Sequence, residues 1–194
     1  DGIRDLVLSL VGSEMCIRDR FYAMRSSLGS LPIVAEDLGI ITPEVDGLRQ
    51  RHHIPGMKVL QFMVGEADFD LSSISEDRVC YTGTHDNDTT LGWFQGGEVD
   101  PRSEREILRT RKHALRATSG TPESIHLDMI RLAYRSEARL AIAPMQDYLG
   151  LGSEARFNTP GTTSGNWRWR VSGEQLSPGF CEATARLVEE MCRA

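Results

Sequence analysis

From about residue 21 the chain alternates short, nearly continuous apolar runs with longer segments whose apolar residues recur at helical spacing. Leu31-Pro32-Ile33-Val34-Ala35 reads as a first strand, broken at Glu36-Asp37-Leu38-Gly39. Thr42-Pro43-Glu44 predicts a helix start: Thr42 as N-cap, Pro43 at the first helical position, Glu44 as an acid in the first turn. Val45, Leu48 and His52 fall on one face of that helix, which stops near Ile54-Pro55-Gly56. Residues 57–62 read as a second strand, 64–77 as a polar, acidic loop, and 78–82 as a third strand. Residues 100–118 carry Ile107, Leu108 and Leu115 at helical spacing, and Thr121-Pro122-Glu123 repeats the earlier start signal ahead of Ile125, Met129, Leu132 and Ala133. Residues 140–145 form a fourth apolar strand, followed by the longest irregular stretch, 146–170.

Strand, polar turn and helix in repeated order, with strands that are apolar throughout, predict parallel βα units. Carboxylates and amides gather after the strands, which is the catalytic face of a (β/α)₈ barrel and the ligand edge of a doubly wound sheet. Four such units are present. A barrel needs eight strands and usually about 250 residues, so the expected fold is α/β, the C-terminal half of a (β/α)₈ barrel.

The chain of 194 residues is 40% apolar, enough for a proper core, with a formal charge of −6. That balance offers no basic footprint for nucleic acid and no polybasic patch for a membrane surface. No run approaches the roughly 18 apolar residues of a membrane helix. Cys16, Cys80, Cys181 and Cys192 are scattered without metal-ligand spacing, which reads as reduced thiols in a cytoplasmic protein.

Two strand ends carry candidate chemistry. Glu36 follows the first strand directly, where burial beside apolar residues would raise its pKa and suit a general acid. The alternative is that Glu36 or Asp37 merely caps the loop. "YTGTHDNDTT", residues 81–90, closes the third strand with His85, Asp86, Asn87 and Asp88 in succession. Asp86 there is placed to face a developing positive charge, and His85 to donate to sugar hydroxyls or hold Asp86. The competing readings are an Asx-turn with a helix N-cap, in which Asp86 or Asp88 satisfies backbone donors, and metal ligation. His52, His53, His113 and His126 supply no matching ligand set, so no metal is expected. Residues 146–170 mix amides, hydroxyls and glycines with Trp167 and Trp169, the groups a sugar site uses; for Trp169 a structural plug is the favoured role. Asn158 lies beside Pro160-Gly161, in a fixed turn. No phosphate-binding glycine motif is present.

"LPIVAEDLGIITPEVDGLR", "IPGMKVLQF", "VCYTGTHDNDTTLGWF" and "QDYLGLGSEARFNTPGTTSGNWRWR", in that order, resemble the 4-α-glucanotransferases, or amylomaltases. The resemblance runs from Phe21 to the C-terminal end. It implies a cytosolic (β/α)₈ enzyme that cuts an α-1,4-glucan and passes the released piece to another glucan's 4-hydroxyl. Glu36 in "AEDLG" then matches the general acid/base after the fifth strand. Asp86 matches the transition-state-stabilising aspartate after the seventh, His85 a sugar-hydroxyl ligand, and Asn158 in "ARFNTPG" a substrate-contacting residue. A retaining double displacement follows, with no cofactor. The implied partners are maltooligosaccharides and other α-1,4-glucans.

The family's nucleophile is an aspartate in an Arg-Ile-Asp-His-Phe-Arg-like motif on the fourth strand, and no such string occurs here. The chain is thus expected to hold strands five to eight, with the isolated polypeptide inactive or at best a weak glucan binder. An α-glucan hydrolase is the further alternative. "LVLSLVGSEMCIRDR", residues 6–20, matches nothing expected before the fifth strand and resembles translated adapter sequence. Residues 1–20 are therefore expected to be a non-native leader, and 21–194 a partial catalytic barrel. Residues 64–77 also depart from the family's Asn-Pro-Tyr-Leu-Pro-His-like stretch, which bears on the acceptor side.

Overall fold

A computed structural model of the chain describes residues 16–29, 32–97 and 100–191. It divides into two compact units, residues 1–57 and 58–194.

In the first unit, helix α1 covers residues 16–28 and crosses the expected leader boundary at residue 20 without a break. Helix α2, Pro43–Arg51, starts as predicted, with Thr42 at the N-cap, Pro43 in the first turn and Glu44 and Asp46 as early acids. Its buried face differs from the expected one. Arg49 is 5% exposed while Val45 is 42% exposed. The Arg49 guanidinium donates to Asp46 Oδ1 and to the Ile54 carbonyl. A buried cation persists only where its donors are met this way. Leu31, at the head of the first predicted strand, lies outside the described residues, and 32–35 are extended without forming a strand. One bond, from Ala35 N to the Pro55 carbonyl at 2.8 Å, stands where a ladder was expected. The N–H of Met57, two residues on, goes to the Asp37 side chain at 2.6 Å, and the Ala35 carbonyl accepts from Asp37 N at 3.0 Å, so no second rung forms.

Strand β1, Gly56–Val59, contains the division between the units. The chain then turns into helix α3, Leu60–Met63, where the sequence predicted more strand. Leu60 and Val64 are fully buried and Phe62 is 56% exposed, the spacing of one helical turn and not of a pleat. A 3₁₀ turn, Leu71–Ser73, punctuates the acidic loop and seats Ile74 in the core.

Strand β2, Arg78–Tyr81, pairs in parallel with β3, Leu140–Ile142, in the register Val79–Leu140, Cys80–Ala141, Tyr81–Ile142. The sheet order is β1-β2-β3. Between β2 and β3 lie α4, Thr90–Gln95, α5, Glu104–Thr118, and α6, Ile125–Arg135. The α5 start carries a reciprocal capping box between Ser103 and Glu106. The signal at Thr121-Pro122-Glu123 makes a turn first, closed by Ser124 N on the Thr121 carbonyl at 3.2 Å, and the helix begins only at Ile125. Ile125, Met129, Leu132 and Ala133 line its buried stripe and meet Trp93, Phe94 and Ala114 from α4 and α5 in the core. After β3 come α7, Met145–Tyr148, a 3₁₀ turn at Ser153–Ala155, and α8, Pro178–Glu190, capped by Ser177; α8 was not predicted.

The α/β character and the parallel pairing match expectation. β3 does not have the burial its sequence implies: Leu140 is 49% and Ile142 37% exposed, although both sides of such a strand are apolar.

Candidate active site

The loop after β2 is built from the inside outward. Thr82 and Thr90, which bracket it, are fully buried and both hold the carboxylate of Asp147. Thr82 Oγ1 donates to Asp147 Oδ2 at 2.6 Å, Thr90 Oγ1 to the same oxygen at 2.8 Å, and Thr90 N to Oδ1 at 2.7 Å. Asp147 is 1% exposed. Burial pushes its carboxyl above the usual range, and the three donors and nearby His126 pull against that shift. One carboxylate of α7 thus ties the end of β2 to the start of α4. Sequence reading overlooked Asp147, although the strand-end criterion that selected Glu36 and Asp86 applies equally to it, five residues after Ile142.

Inside the loop, Asn87 Oδ1 accepts from Thr84 N and from Thr84 Oγ1, each at 2.8 Å, while Asn87 N returns to the Thr84 carbonyl at 3.2 Å. The Asx-turn and N-cap expected of Asp86 or Asp88 do not form: Asn87 reaches back to Thr84, and Thr89 caps α4, its side chain accepting from Gly92 N. Asp88 takes the other structural share, accepting from Thr89 N at 2.8 Å and Ser153 Oγ at 2.6 Å. Gln61 closes the floor: it is 5% exposed and its Nε2 donates to the Asp88 carbonyl at 2.9 Å. Gly83 lies beneath it, where a Cβ would stand 2.6 Å from Gln61 Nε2 and push the amide aside.

His85 and Asp86 are left as the outward pair, their side chains 55% and 44% exposed, with His85 Nε2 3.3 Å from Asp86 Oδ1. Asn158 joins them from seventy-two positions away. Its Nδ2 donates to Asp86 Oδ1 at 2.5 Å, and its backbone N to the His85 carbonyl at 3.1 Å. Arg156 reinforces the seam, donating to the Asp86 carbonyl at 2.8 Å and to the Asn158 carbonyl at 2.9 Å. Trp167 flanks His85 with ring centroids 5.2 Å apart and meets Phe157 edge-on at 4.7 Å. Three of the four sequence-selected residues therefore converge. Arg156 and Phe157 were passed over because only tertiary pairing gives them a role.

Glu36 belongs to the first unit and is exposed, which corrects the expectation of burial beside an apolar strand. Its neighbour is the loop's anchor. The Asp37 side chain is 7% exposed, lies 3.6 Å from Arg49 Nε and accepts from Met57 N at 2.6 Å. Gly39, at φ 88°, turns the chain after them. The capping alternative therefore falls to Asp37, leaving Glu36 outside. Among the described residues, no group of three or more His, Cys, Asp or Glu is arranged to hold a metal ion. Cys16 and Cys181 are free thiols, and among the described residues no helix is long and apolar enough to cross a membrane.

A parallel α/β framework that gathers an imidazole, a carboxylate and an amide at a strand's C-terminal end defines the class. Residues 13–176 match the family model described as 4-alpha-glucanotransferase. The 4-alpha-glucanotransferase of Synechocystis sp. is 47% identical over 165 residues, 82% of this chain and 31% of that protein. The Thermus thermophilus 4-alpha-glucanotransferase is 42% identical over 179 residues, 86% of this chain and 35% of that one. The amylomaltase of Streptococcus agalactiae, solved in complex with acarbose, superposes with a TM-score of 0.78 at 28% identity, covering 90% of this chain and 34% of that chain. The chain belongs to the 4-alpha-glucanotransferase family. It spans about a third of the length of the curated relatives it matches.

Proposed function

We propose that this chain is the part of a 4-α-glucanotransferase that supplies the general acid/base and the transition-state-stabilising carboxylate, within strands five to eight of a (β/α)₈ barrel acting on α-1,4-glucans in the cytoplasm. The observation that carries the reading is the convergence of His85, Asp86 and Asn158, with Asp86 left outward while Asn87 and Asp88 are consumed by the turn. The half-barrel form is supported by β3, whose apolar Leu140 and Ile142 are exposed. A parallel strand of that composition is normally covered on both faces.

The chemistry is the retaining two-carboxylate scheme. Glu36 protonates the glycosidic oxygen of the departing piece while a carboxylate nucleophile takes the anomeric carbon. Glu36 then removes the proton of the incoming 4-hydroxyl, so that a glucan and not water completes the transfer. Asp86, fixed by Asn158, faces the oxocarbenium-like centre; a preorganised carboxylate of this kind costs no reorganisation as the reaction proceeds. His85 binds a hydroxyl of the same sugar. The nucleophile's motif is not found in these 194 residues, so the isolated polypeptide is expected to be inactive.

The test is Glu36→Gln in the full-length protein, assayed by disproportionation of maltotriose. Transfer should be abolished with the fold intact, and near-normal transfer would overturn the acid/base assignment. Free glucose formed without longer products would favour the hydrolase alternative.

A further inference from the structure

We infer that Trp167 is a substrate-positioning residue: its indole is the apolar wall against which a glucose unit stacks beside His85 and Asp86. The inference rests on the glucan reading above and adds a residue to it.

Trp167 is 52% exposed, although tryptophan carries more apolar surface than any other side chain and usually hides most of it. Its backbone is left-handed, with φ 62°, a conformation that is costly for a bulky residue and persists only where its surroundings hold it. Several contacts hold it there. Trp167 N donates to the Phe157 carbonyl at 2.7 Å, the two rings meet at 90° with centroids 4.7 Å apart, and the neighbouring Asn166 amide accepts from Thr159 N at 2.9 Å. The indole is thus set on the loop that delivers Asn158 to Asp86. It also lies against the His85 ring, tilted by 37°, and the same imidazole has its Nε2 3.3 Å from Asp86 Oδ1.

A pyranose has one face of C–H groups and a rim of hydroxyls. An exposed indole meets the first, and an imidazole, a carboxylate and an amide grouped at its side meet the second. Core packing alone would not require a tryptophan in the left-handed region beside the imidazole of His85.

Two variants in the full-length protein separate these roles. Trp167→Leu keeps apolar bulk and the same left-handed strain but removes the flat face, while Trp167→Phe keeps a flat face. Trp167→Leu should raise KM for maltooligosaccharides about tenfold, change kcat by less than about threefold, and leave the melting temperature near wild type; Trp167→Phe should recover most of the lost affinity. Wild-type KM in the Leu variant overturns the inference, as does a Phe variant no better than Leu. Asp86→Asn serves as the separating control. Loss of transfer there, with Trp167→Leu unchanged, refutes the tryptophan alone. Full transfer in Asp86→Asn refutes the site reading on which it stands.

Discussion

Asn158 Nδ2 donates to Asp86 Oδ1 at 2.5 Å, and its backbone N–H donates to the His85 carbonyl. One residue of the 156–158 segment therefore fixes both the carboxylate and the peptide that carries it. A carboxylate held at one oxygen and at its own peptide has little freedom to turn, so Asn158 orients Asp86.

Asn158→Ala should lower kcat/KM by about tenfold to a hundredfold, the cost of losing about 1.5–3 kcal/mol of charge-assisted hydrogen bond. Asn158→Asp replaces the donor by a second acceptor against Asp86 Oδ1 and should cost at least as much. Wild-type kcat/KM in either variant would show that Asn158 does not position Asp86.

Asp147 offers a stability test. Its carboxyl is raised by burial, so the folded state holds the proton more tightly than the unfolded chain. Stability from this group is fully present below the ordinary carboxylate pKa and declines as pH rises through the raised folded value. Asp147→Asn keeps an acceptor for Thr90 N, and its amide can donate to the two threonine hydroxyls. The variant should fold and lose this pH dependence. Asp147→Ala strands three donors, each costing about 1–3 kcal/mol. Thermal melts of wild type and both variants across the acid range decide; parallel curves for wild type and Asn would refute the assignment.

Gly83→Ala should destabilise the protein by about 1–3 kcal/mol, since the new methyl displaces Gln61 and leaves the Asp88 carbonyl without its donor. Adding a Cβ would on its own stiffen the unfolded chain and gain about 0.4–1 kcal/mol, too little to offset the clash. A variant as stable as wild type in urea would show that Gln61 gives way freely.

Glu36 and Asp37 should separate cleanly. Glu36→Gln is expected to leave the melting temperature unchanged, because the side chain is exposed. Asp37→Ala removes the acceptor of Met57 N and a buried neighbour of Arg49, at about 1–3 kcal/mol. Calorimetry of the two variants distinguishes them, and equal destabilisation would contradict the assigned roles.

Sequence reading reached the helices wherever a start signal and an apolar stripe agreed, as at Thr42-Pro43-Glu44. It erred where one signal spoke alone. Thr121-Pro122-Glu123 has the composition of a helix start, yet Ser124 closes a turn before the helix can begin. In the run 57–62 Lys58 and Gln61 interrupt four apolar residues at spacings that fit neither period cleanly, and the helix shows only where Val64 shares a buried face with Leu60.

By itself the sequence determined the parallel βα character and the family, because these are local in the chain: an apolar run, the polar residues that follow it, and long motifs in order. Only the tertiary structure decided which of several adjacent polar groups are bound into the scaffold and which face outward. Glu36 and Asp37, or Asp86, Asn87 and Asp88, are chemically alike in one dimension. Asp37 is distinguished by Met57, Asp86 by Asn158 and Asp88 by Ser153, all far along the chain, and a buried polar group must find such a partner or cost the fold its stability.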